Sequence, residues 1–236
     1  MSFLRVIGDT HGCIDNRNRF NDLPSYIELC QQLNSADYSV QLGDFGFEYT
    51  YLNLLDSERN KICLGNHENL DVAFNYPHVL GRFGNVQLGP FNFFFVSGGF
   101  SLDKKYRIKH EGITGIKSWW KNEELSQREG KDCLIEYEKI KPDVVLTHEC
   151  PSCIARLMGN TDFLVSFGWP RDMVSSTQHL LQQLVEIHRP KLFLYGHWHR
   201  EFYSTYKGTE YYCLPERRYL DFDEKWNIIG GSCYDK

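Results

Sequence analysis

The chain has 236 residues, 42% of them hydrophobic and 24% charged, and its formal net charge is -5. This composition is typical of a globular protein with a sizeable core. The acidic balance argues against a protein that coats duplex nucleic acid, which would carry basic stripes, so no duplex partner is expected. No segment reaches the roughly 20 apolar residues that span a bilayer, so no membrane partner is expected either.

The amino terminus and the cysteines predict a cytoplasmic protein. Residues 1–8 run directly into a predicted strand, without a basic leader and a long apolar stretch, so we predict no signal peptide. The eight cysteines are scattered along the chain, as expected for free thiols in a reducing compartment. Cys150 and Cys153 form a lone C-x-x-C pair. We favour two loop cysteines here over a redox or zinc site.

Short runs of apolar, β-branched and aromatic residues predict strands. Most are apolar on both faces and end in glycine or a polar residue, as buried strands do in layered α/β folds. The runs are residues 3–7, 38–42, 61–64, 91–96, 143–146 and 191–195. Apolar residues at helical spacing predict helices over residues 21–33 and 171–188, and Pro170 and Pro190 bracket the second helix.

Beyond residue 200 the hydrophobic pattern changes to a period of two. Residues 201–207 and 210–214 flank a turn at Gly208 and predict a hairpin, and residues 219–222 and 226–229 predict closing strands. This order predicts a four-layer α/β fold, in which two sheets pack face to face as a β-sandwich flanked by helices. No repeat or linker interrupts the chain, so we predict a single domain over residues 1–236.

Candidate metal ligands follow the first two predicted strands. Asp9 and His11 are separated by one residue, so in extended chain their side chains point the same way and can hold one ion. Asp44 lies at the end of the second strand, and its two carboxylate oxygens can bridge two cations. Taken singly, each of these residues is also typical of an ordinary turn.

The segment Gly65-Asn66-His67-Glu68 is the most diagnostic motif. Asn66 offers a neutral amide oxygen as a ligand, which leaves His67 outside the coordination sphere and directed at the leaving group. Glu68 is predicted to hold His67 in one tautomer and raise its basicity, so that His67 can donate a proton. An Asn-capped helix start with a surface histidine is the alternative.

Three more histidines follow later strands. His148 ends an apolar run, and His197 and His199, one residue apart, can serve neighbouring ions. Mixed carboxylate, imidazole and amide ligands suit transition metals better than Ca²⁺ or Mg²⁺. We therefore predict two divalent transition-metal ions, with Mn as the first choice and Fe, Zn, Co or Ni as alternatives.

With these segments the chain resembles the calcineurin-like metallophosphoesterase superfamily, whose motifs read D-x-H, G-D, G-N-H-[DE], H and G-H-x-H. Residues 98–104 and 119–126 resemble a bacterial and phage-type subgroup. The resemblance implies the family's β-sandwich and two metals bridged by one carboxylate. The implied ligands are Asp9, His11 and His199 for the first metal, Asp44 for the bridge, and Asn66, His148 and His197 for the second.

The resemblance also implies a binuclear phosphoester hydrolase, either a phosphodiesterase or a phosphatase. A metal-activated hydroxide would attack phosphorus, with His67 as general acid and Glu68 supporting it. The expected substrate is a small, nucleotide-like phosphoester. Its base could stack on tryptophans, although we expect most of these rings to lie in the core. The four tryptophans concerned are Trp119, Trp120, Trp169 and Trp198.

Three alternatives remain at the level of sequence. Phosphoprotein phosphatases carry G-D-x-x-D-R-G, whose Arg binds phosphate, and residues 43–49 here lack both that Asp and that Arg. A nuclease would need a DNA-binding extension, and the residues after His199 predict only closing strands. A catalytically silent binding protein would have lost ligands or His67. Four other arginines could contact phosphate, but we expect them to be solvated: Arg17, Arg19, Arg107 and Arg200.

Overall fold

The computed structural model describes residues 2–11, 36–46, 49–159 and 161–233, and within these ranges eleven strands form two mixed sheets. The first sheet contains β1 (Phe3–Ile7), β2 (Tyr38–Gln41), β3 (Asn60–Ile62), β10 (Tyr219–Asp223) and β11 (Ile228–Gly231). The second contains β4 (Phe83–Leu88), β5 (Phe91–Val96), β6 (Val144–Thr147), β7 (Leu192–Tyr195), β8 (Phe202–Tyr206) and β9 (Thr209–Cys213).

Parallel pairing dominates the centre of each sheet. The first sheet has the order β11-β10-β1-β2-β3, in which β1, β2 and β3 are parallel. The second has the order β4-β5-β6-β7-β9-β8, in which β5, β6, β7 and β9 are parallel. Because parallel strands end at the same edge of a sheet, the segments that follow them are brought together there.

The main core lies between the two sheets. Successive side chains of a strand point to opposite faces, so Phe93 and Phe95 share a buried cluster with Val6 and Val40 of the first sheet. Phe94, between them, packs on the other face of the second sheet, beneath helices. The predicted arrangement of two facing sheets with helices outside is therefore confirmed.

Helices cover the outer faces. Tyr137 and Leu181 belong to the cluster on the second sheet, and Tyr49 and Leu70 belong to a cluster with Ile62 of the first sheet. Among the described residues, no helix has the length and apolar character needed to cross a bilayer. The helices are α1 (Leu70–Ala73), α2 (Lys104–Thr114), α3 (Gln127–Ile140), α4 (Ser152–Leu157), α5 (Thr161–Ser166) and α6 (Ser176–Ile187), with a 3-10 helix at Tyr49–Leu54.

The observed strands overlap every predicted one, and β4 is an addition. It escaped the sequence pattern because Gly84 and Asn85 are poor strand formers, and because β4 lies at the edge of its sheet. The predicted helix over residues 171–188 begins later than expected, at Ser176. Ser175 and Gln178 form a capping box that fixes this start.

Other expectations concern the remaining helices and the cysteines. The predicted helix over residues 21–33 lies outside the described residues. Helix α2 was missed because it buries no residue, and α4 and α5 were missed because each has only six residues. Helix α3 was also missed, although it has 14 residues and buries Cys133 and Tyr137. The six cysteines in the described part of the chain are free, and Cys150 is buried where α4 begins.

Replacing Phe93 by Ala tests the core between the sheets. Phe93 is fully buried, so we expect the free energy of unfolding in urea to fall by about 3–5 kcal/mol. Asn92→Ala is the matched control, because Asn92 is exposed on the same strand and should change stability by less than about 0.5 kcal/mol. Equal losses in the two variants would contradict the assignment of Phe93 to the core.

Candidate metal centre

The predicted ligands all lie just beyond the carboxyl ends of parallel strands. The loops after β1, β2 and β3 contribute from the first sheet, and those after β6 and β7 contribute from the second. The two sheets thus meet at one site. The residues brought there are Asp9 and His11 after β1, Asp44 after β2, Asn66 after β3, His148 after β6, and His197 and His199 after β7.

The backbone of the site is held in an unusual conformation. His11, Asp44, His197 and His199 have positive φ angles of 45°, 52°, 67° and 50°. Residues other than glycine rarely adopt this left-handed region, and they do so mostly where function requires a particular side-chain direction. Hydrogen bonds hold the loops in place: His11 N donates to Asp44 O at 2.8 Å, and His197 N donates to Asp9 Oδ1 at 3.0 Å.

Two glycines make room for the carboxylates. A Cβ atom on Gly65 would collide with Oδ1 of Asp44, and one on Gly196 would collide with Oδ1 of Asp9. Only glycine allows the backbone to approach the site this closely. These two positions of the sequence motifs therefore have a steric explanation.

One group of side chains gathers around the carboxylate of Asp9. The ligand atoms of Asp9, His11, Asp44 and His199 all lie within 4.8 Å of one another. Nε2 of His199 is 3.0 Å from Oδ2 of Asp9 and 2.8 Å from Nε2 of His11. Nε2 of His11 is 3.8 Å from Oδ2 of Asp44.

A second group shares Asp44 with the first. The ligand atoms of Asp44, His148 and His197 also lie within 4.8 Å of one another. Nε2 of His148 is 3.3 Å from Oδ1 of Asp44, 3.1 Å from Nδ1 of His197 and 2.9 Å from Oδ1 of Asn66. The two oxygens of Asp44 therefore face different groups.

The carboxylates of Asp9 and Asp44 are anionic although they are buried. Burial acts to raise the pKa of Asp44, but His148, His67 and His11 lower it well below its usual range. Burial also acts to raise the pKa of Asp9. The neighbouring histidines, His148 first, lower this pKa by more, so the net shift is downwards. In return, the hydrogen bond to Asp9 raises the pKa of His199 to about 9. The site is thus a concentration of negative charge ringed by imidazoles.

This donor set fits a pair of divalent transition-metal ions. Imidazole nitrogens face each other in two pairs, His11 with His199 and His148 with His197, at 2.8 and 3.1 Å. Two neutral imidazole nitrogens that face each other can share only one proton between them, whereas a metal cation can accept a lone pair from each nitrogen. Carboxylate, imidazole and amide oxygen ligands are also the mixture that such ions bind in proteins.

Contacts from outside the two groups, an ion pair and a hydrogen bond, fix the imidazole tautomers. Nε2 of His197 is 3.4 Å from Oε2 of Glu149, and Nδ1 of His148 is 2.9 Å from the carbonyl oxygen of Leu42. These contacts turn the other nitrogen of each ring towards the site. Glu149 is itself held by Nε1 of Trp198 at 2.8 Å. We assigned Glu149 no role from sequence, although its place directly after His148 was the available signal.

A buried relay fixes the amide of Asn66. Nδ2 of Asn66 donates to Oγ of Ser101 at 3.0 Å, and the Ser101 hydroxyl donates to Oε2 of Glu123 at 2.6 Å. The carbonyl oxygen of the amide is therefore directed towards His148. Sequence reasoning missed Ser101 and Glu123, because Ser101 lies 35 residues beyond Asn66 and no spacing rule connects them.

The predicted contact between Glu68 and His67 is wrong. Oε1 of Glu68 accepts a hydrogen bond from the backbone N–H of Phe45, and Oε2 accepts one from that of Gly65, both at 2.7 Å. Glu68 is almost fully buried, and burial raises its pKa well above the usual range. Buried backbone donors need acceptors, so the carboxylate is used to join two ligand loops rather than to orient His67.

His67 has other partners. Its backbone N–H donates to Oδ1 of Asp44 at 2.9 Å, and its Nε2 is 3.8 Å from Oδ2 of the same carboxylate. Nη2 of Arg107 approaches the same ring nitrogen to 3.3 Å. The pKa of His67 is lowered to about 4, because burial and the nearby Arg107 together outweigh the opposing effect of Asp44.

Of the four arginines that were expected to be solvated, the two in the described part of the chain differ in their exposure. Arg17 and Arg19 lie outside the described residues, and Arg200 is exposed, as expected. Arg107 was expected on the solvated surface, and this is wrong, because only 17% of its side chain is exposed. It was misread because the sequence does not show that α2 carries it to His67.

The tryptophans mostly serve the structure. Trp120 and Trp198 are buried, as expected, while Trp119 and Trp169 are half-buried. Lysine ammonium groups lie over both half-buried rings, at 4.4 Å from the ring centroid of Trp119 and 4.3 Å from that of Trp169. These rings therefore already have cationic partners.

Comparison with known proteins identifies the family. The model of the calcineurin-like phosphoesterase family matches residues 4–201, which is most of the chain. The chain therefore belongs to this family, as the motifs indicated. It is a hydrolase of phosphoric esters, in a family that binds divalent metals. No curated protein matches the chain significantly.

Solved structures resemble the chain in fold. A dimetal phosphatase from Danio rerio is 12% identical, with a TM-score of 0.51, over 93% of this chain and 91% of that chain. A phosphopantetheinyl hydrolase from Mycobacterium tuberculosis is 12% identical, with a TM-score of 0.45, over 91% and 90%. A Thermotoga maritima protein is 14% identical, with a TM-score of 0.44, over 97% of both chains. At such identities the likeness concerns the fold alone.

Replacing Glu123 by Gln should change how stability depends on pH. Burial raises the pKa of Glu123 from its ordinary value of 4.5 to about 7, so the folded protein disfavours the ionised form. Relative to the variant, wild type should therefore lose about 3 kcal/mol of stability as the pH rises from 4.5 to 7, because only wild type carries the Glu123 carboxyl group.

The measurement is the free energy of unfolding across this pH range, with wild type and variant in the same metal state. Glu138→Gln removes an exposed carboxyl group from α3 and serves as the control. Parallel curves for wild type and Glu123→Gln would contradict a raised pKa at Glu123.

Proposed function

We propose that this hydrolase is a binuclear metallophosphoesterase in which the two ions share Asp44. The observation that carries the proposal is the position of the Asp44 carboxylate, which belongs to both groups of ligand atoms. The proposed ligands are Asp9, His11 and His199 for one ion, Asn66, His148 and His197 for the other, and Asp44 for both.

The two ions, when bound, would lower the pKa of a water molecule towards neutrality and offset charge on the phosphoryl oxygens. The protein supplies the geometry. Its backbone hydrogen bond to Asp44 places His67 at the edge of the ligand groups, with Nε2 facing the site. We propose that with substrate bound Arg107 donates to the substrate instead of to this nitrogen, and that Nε2 then carries the proton that the departing oxygen takes up, so that the leaving group departs as an alcohol.

Finer properties remain proposals from the sequence. We propose a small, nucleotide-like phosphoester as substrate, manganese as the preferred ion, the cytoplasm as the location, and one domain over residues 1–236. The Danio rerio relative is described as a dimetal phosphatase, which agrees with two ions. The free cysteines of the described residues agree with a reducing compartment.

The acid role of His67 is tested by His67→Asn. We expect hydrolysis of chromogenic mono- and diester substrates by the Mn²⁺-loaded protein to fall by about 10²-fold or more, because Asn cannot deliver a proton. His179→Asn removes an exposed histidine from the outer side of α6 and should leave the rate unchanged. Full activity in His67→Asn would refute the assignment.

The shared carboxylate is tested by Asp44→Asn. A neutral amide cannot replace an anion that faces both ligand groups, so the variant should retain fewer metal ions than the roughly two per chain expected for wild type. Elemental analysis after dialysis against Mn²⁺ measures this. Asp143→Asn, at an exposed carboxylate before β6, is the control. Equal metal content in Asp44→Asn and wild type would exclude the bridging role.

A further inference from the structure

Arg107 lies where a substrate of the proposed hydrolase must bind. Its Nη2 is 3.3 Å from Nε2 of His67, and its side chain is 17% exposed. An atom that forms a hydrogen bond with Nε2 of His67 must therefore come close to this guanidinium group. An arginine keeps its positive charge at every pH that a protein tolerates, so the charge beside His67 is permanent.

The guanidinium group is held in a fixed orientation. Its Nε donates to Oδ2 of Asp103 at 2.7 Å, and its Nη1 donates to the carbonyl oxygen of Ser118 at 3.0 Å. These two contacts position the group and leave Nη2 directed at His67. Because Nε and Nη1 are engaged, Nη2 is the nitrogen of this fixed cationic group that is placed to donate to a phosphoryl oxygen.

The segment that carries Arg107 is tied to the metal centre. The loop before α2 contains Ser101, which accepts the hydrogen bond from the amide of Asn66. Helix α2 follows, and its first residues are Lys104 and Lys105, so residues 103–107 carry more positive than negative charge. The same piece of chain thus orients a proposed ligand through Ser101 and places the cation of Arg107 beside His67.

We propose that Arg107 binds a non-bridging oxygen of the substrate's phosphoryl group, and that the substrates are phosphate monoesters rather than diesters. A monoester phosphate carries about two negative charges near pH 7 and three non-bridging acceptor oxygens. A diester has a second ester bond, so it carries about one negative charge and two such oxygens. A fixed guanidinium beside the proton donor matches the extra oxygen. This inference rests on the proposed function.

Arg107 would also account for a departure in the sequence. Residues 43–49 lack the arginine of G-D-x-x-D-R-G, so the loop after β2 has no phosphate-binding cation of that kind. In this chain the guanidinium comes from α2, through a different element of the fold. The element that carries the arginine differs, but the positive charge would lie beside the metal centre in both cases.

Binding of inorganic phosphate to the Mn²⁺-loaded protein tests the proposal independently of catalysis. Calorimetry should show phosphate bound at least about tenfold more weakly by Arg107→Ala than by wild type, and Arg107→Lys should fall between them because it keeps the charge but loses the contacts to Asp103 and Ser118 that orient it. Arg59→Ala is the control. Arg59 immediately precedes β3, at the end of the strands opposite the site, and it pairs with Asp37. Metal content and unfolding midpoint are measured for each variant.

Paired chromogenic substrates then test the substrate class. In Arg107→Ala, kcat/KM should fall about 10²-fold for the monoester and less than about threefold for the diester, with much of the loss in KM. Equal losses for both esters, unchanged phosphate binding in Arg107→Ala, or no phosphate binding by wild type would each overturn the proposal. Failure of the proposed function itself would appear elsewhere, as full activity in His67→Asn or in metal-stripped wild type.

Discussion

The burial of two carboxylates is the constraint on which the rest of this structure depends. Asp9 and Asp44 are 0% and 1% exposed and face the same space. Buried anions are unfavourable unless cations or hydrogen-bond donors compensate for the lost water. The histidines that lower the pKa of Asp44 come from separate loops, so the buried carboxylate of Asp44 has these partners only when both sheets are assembled and their loops meet.

A second set of buried carboxylates organises the ligands without joining them. Glu68 accepts two backbone N–H groups and links the loops after β2 and β3. Glu149 selects the tautomer of His197, and Glu123 fixes the amide of Asn66 through Ser101. Each of these carboxylates acts through another residue. Because partners outside the ligand groups set ligand direction and basicity, these contacts matter for the metal centre as much as the ligands themselves.

Opposite charges meet at His67. Its Nε2 faces the carboxylate of Asp44 and the guanidinium of Arg107, two groups with opposite effects on the imidazole pKa. Such an arrangement suits a phosphoryl group, whose oxygens need cationic partners while its leaving group needs a proton. Arg107 is placed by α2, a helix that buries none of its own residues and so contributes to the site rather than to the core.

The sequence alone determined the described strands other than β4, the two facing sheets and the identity of the candidate ligands. Neighbouring side chains such as Phe93 and Phe94 point to opposite faces of a strand, and each ligand lies in the segment that follows a strand. The local sequence pattern was therefore enough to predict these features. Only the tertiary structure decided that Glu68 supports backbone loops, that Ser101 and Glu123 hold Asn66, and that Arg107 stands beside His67. These contacts join residues far apart in the chain, and no local periodicity or spacing encodes which distant loops meet.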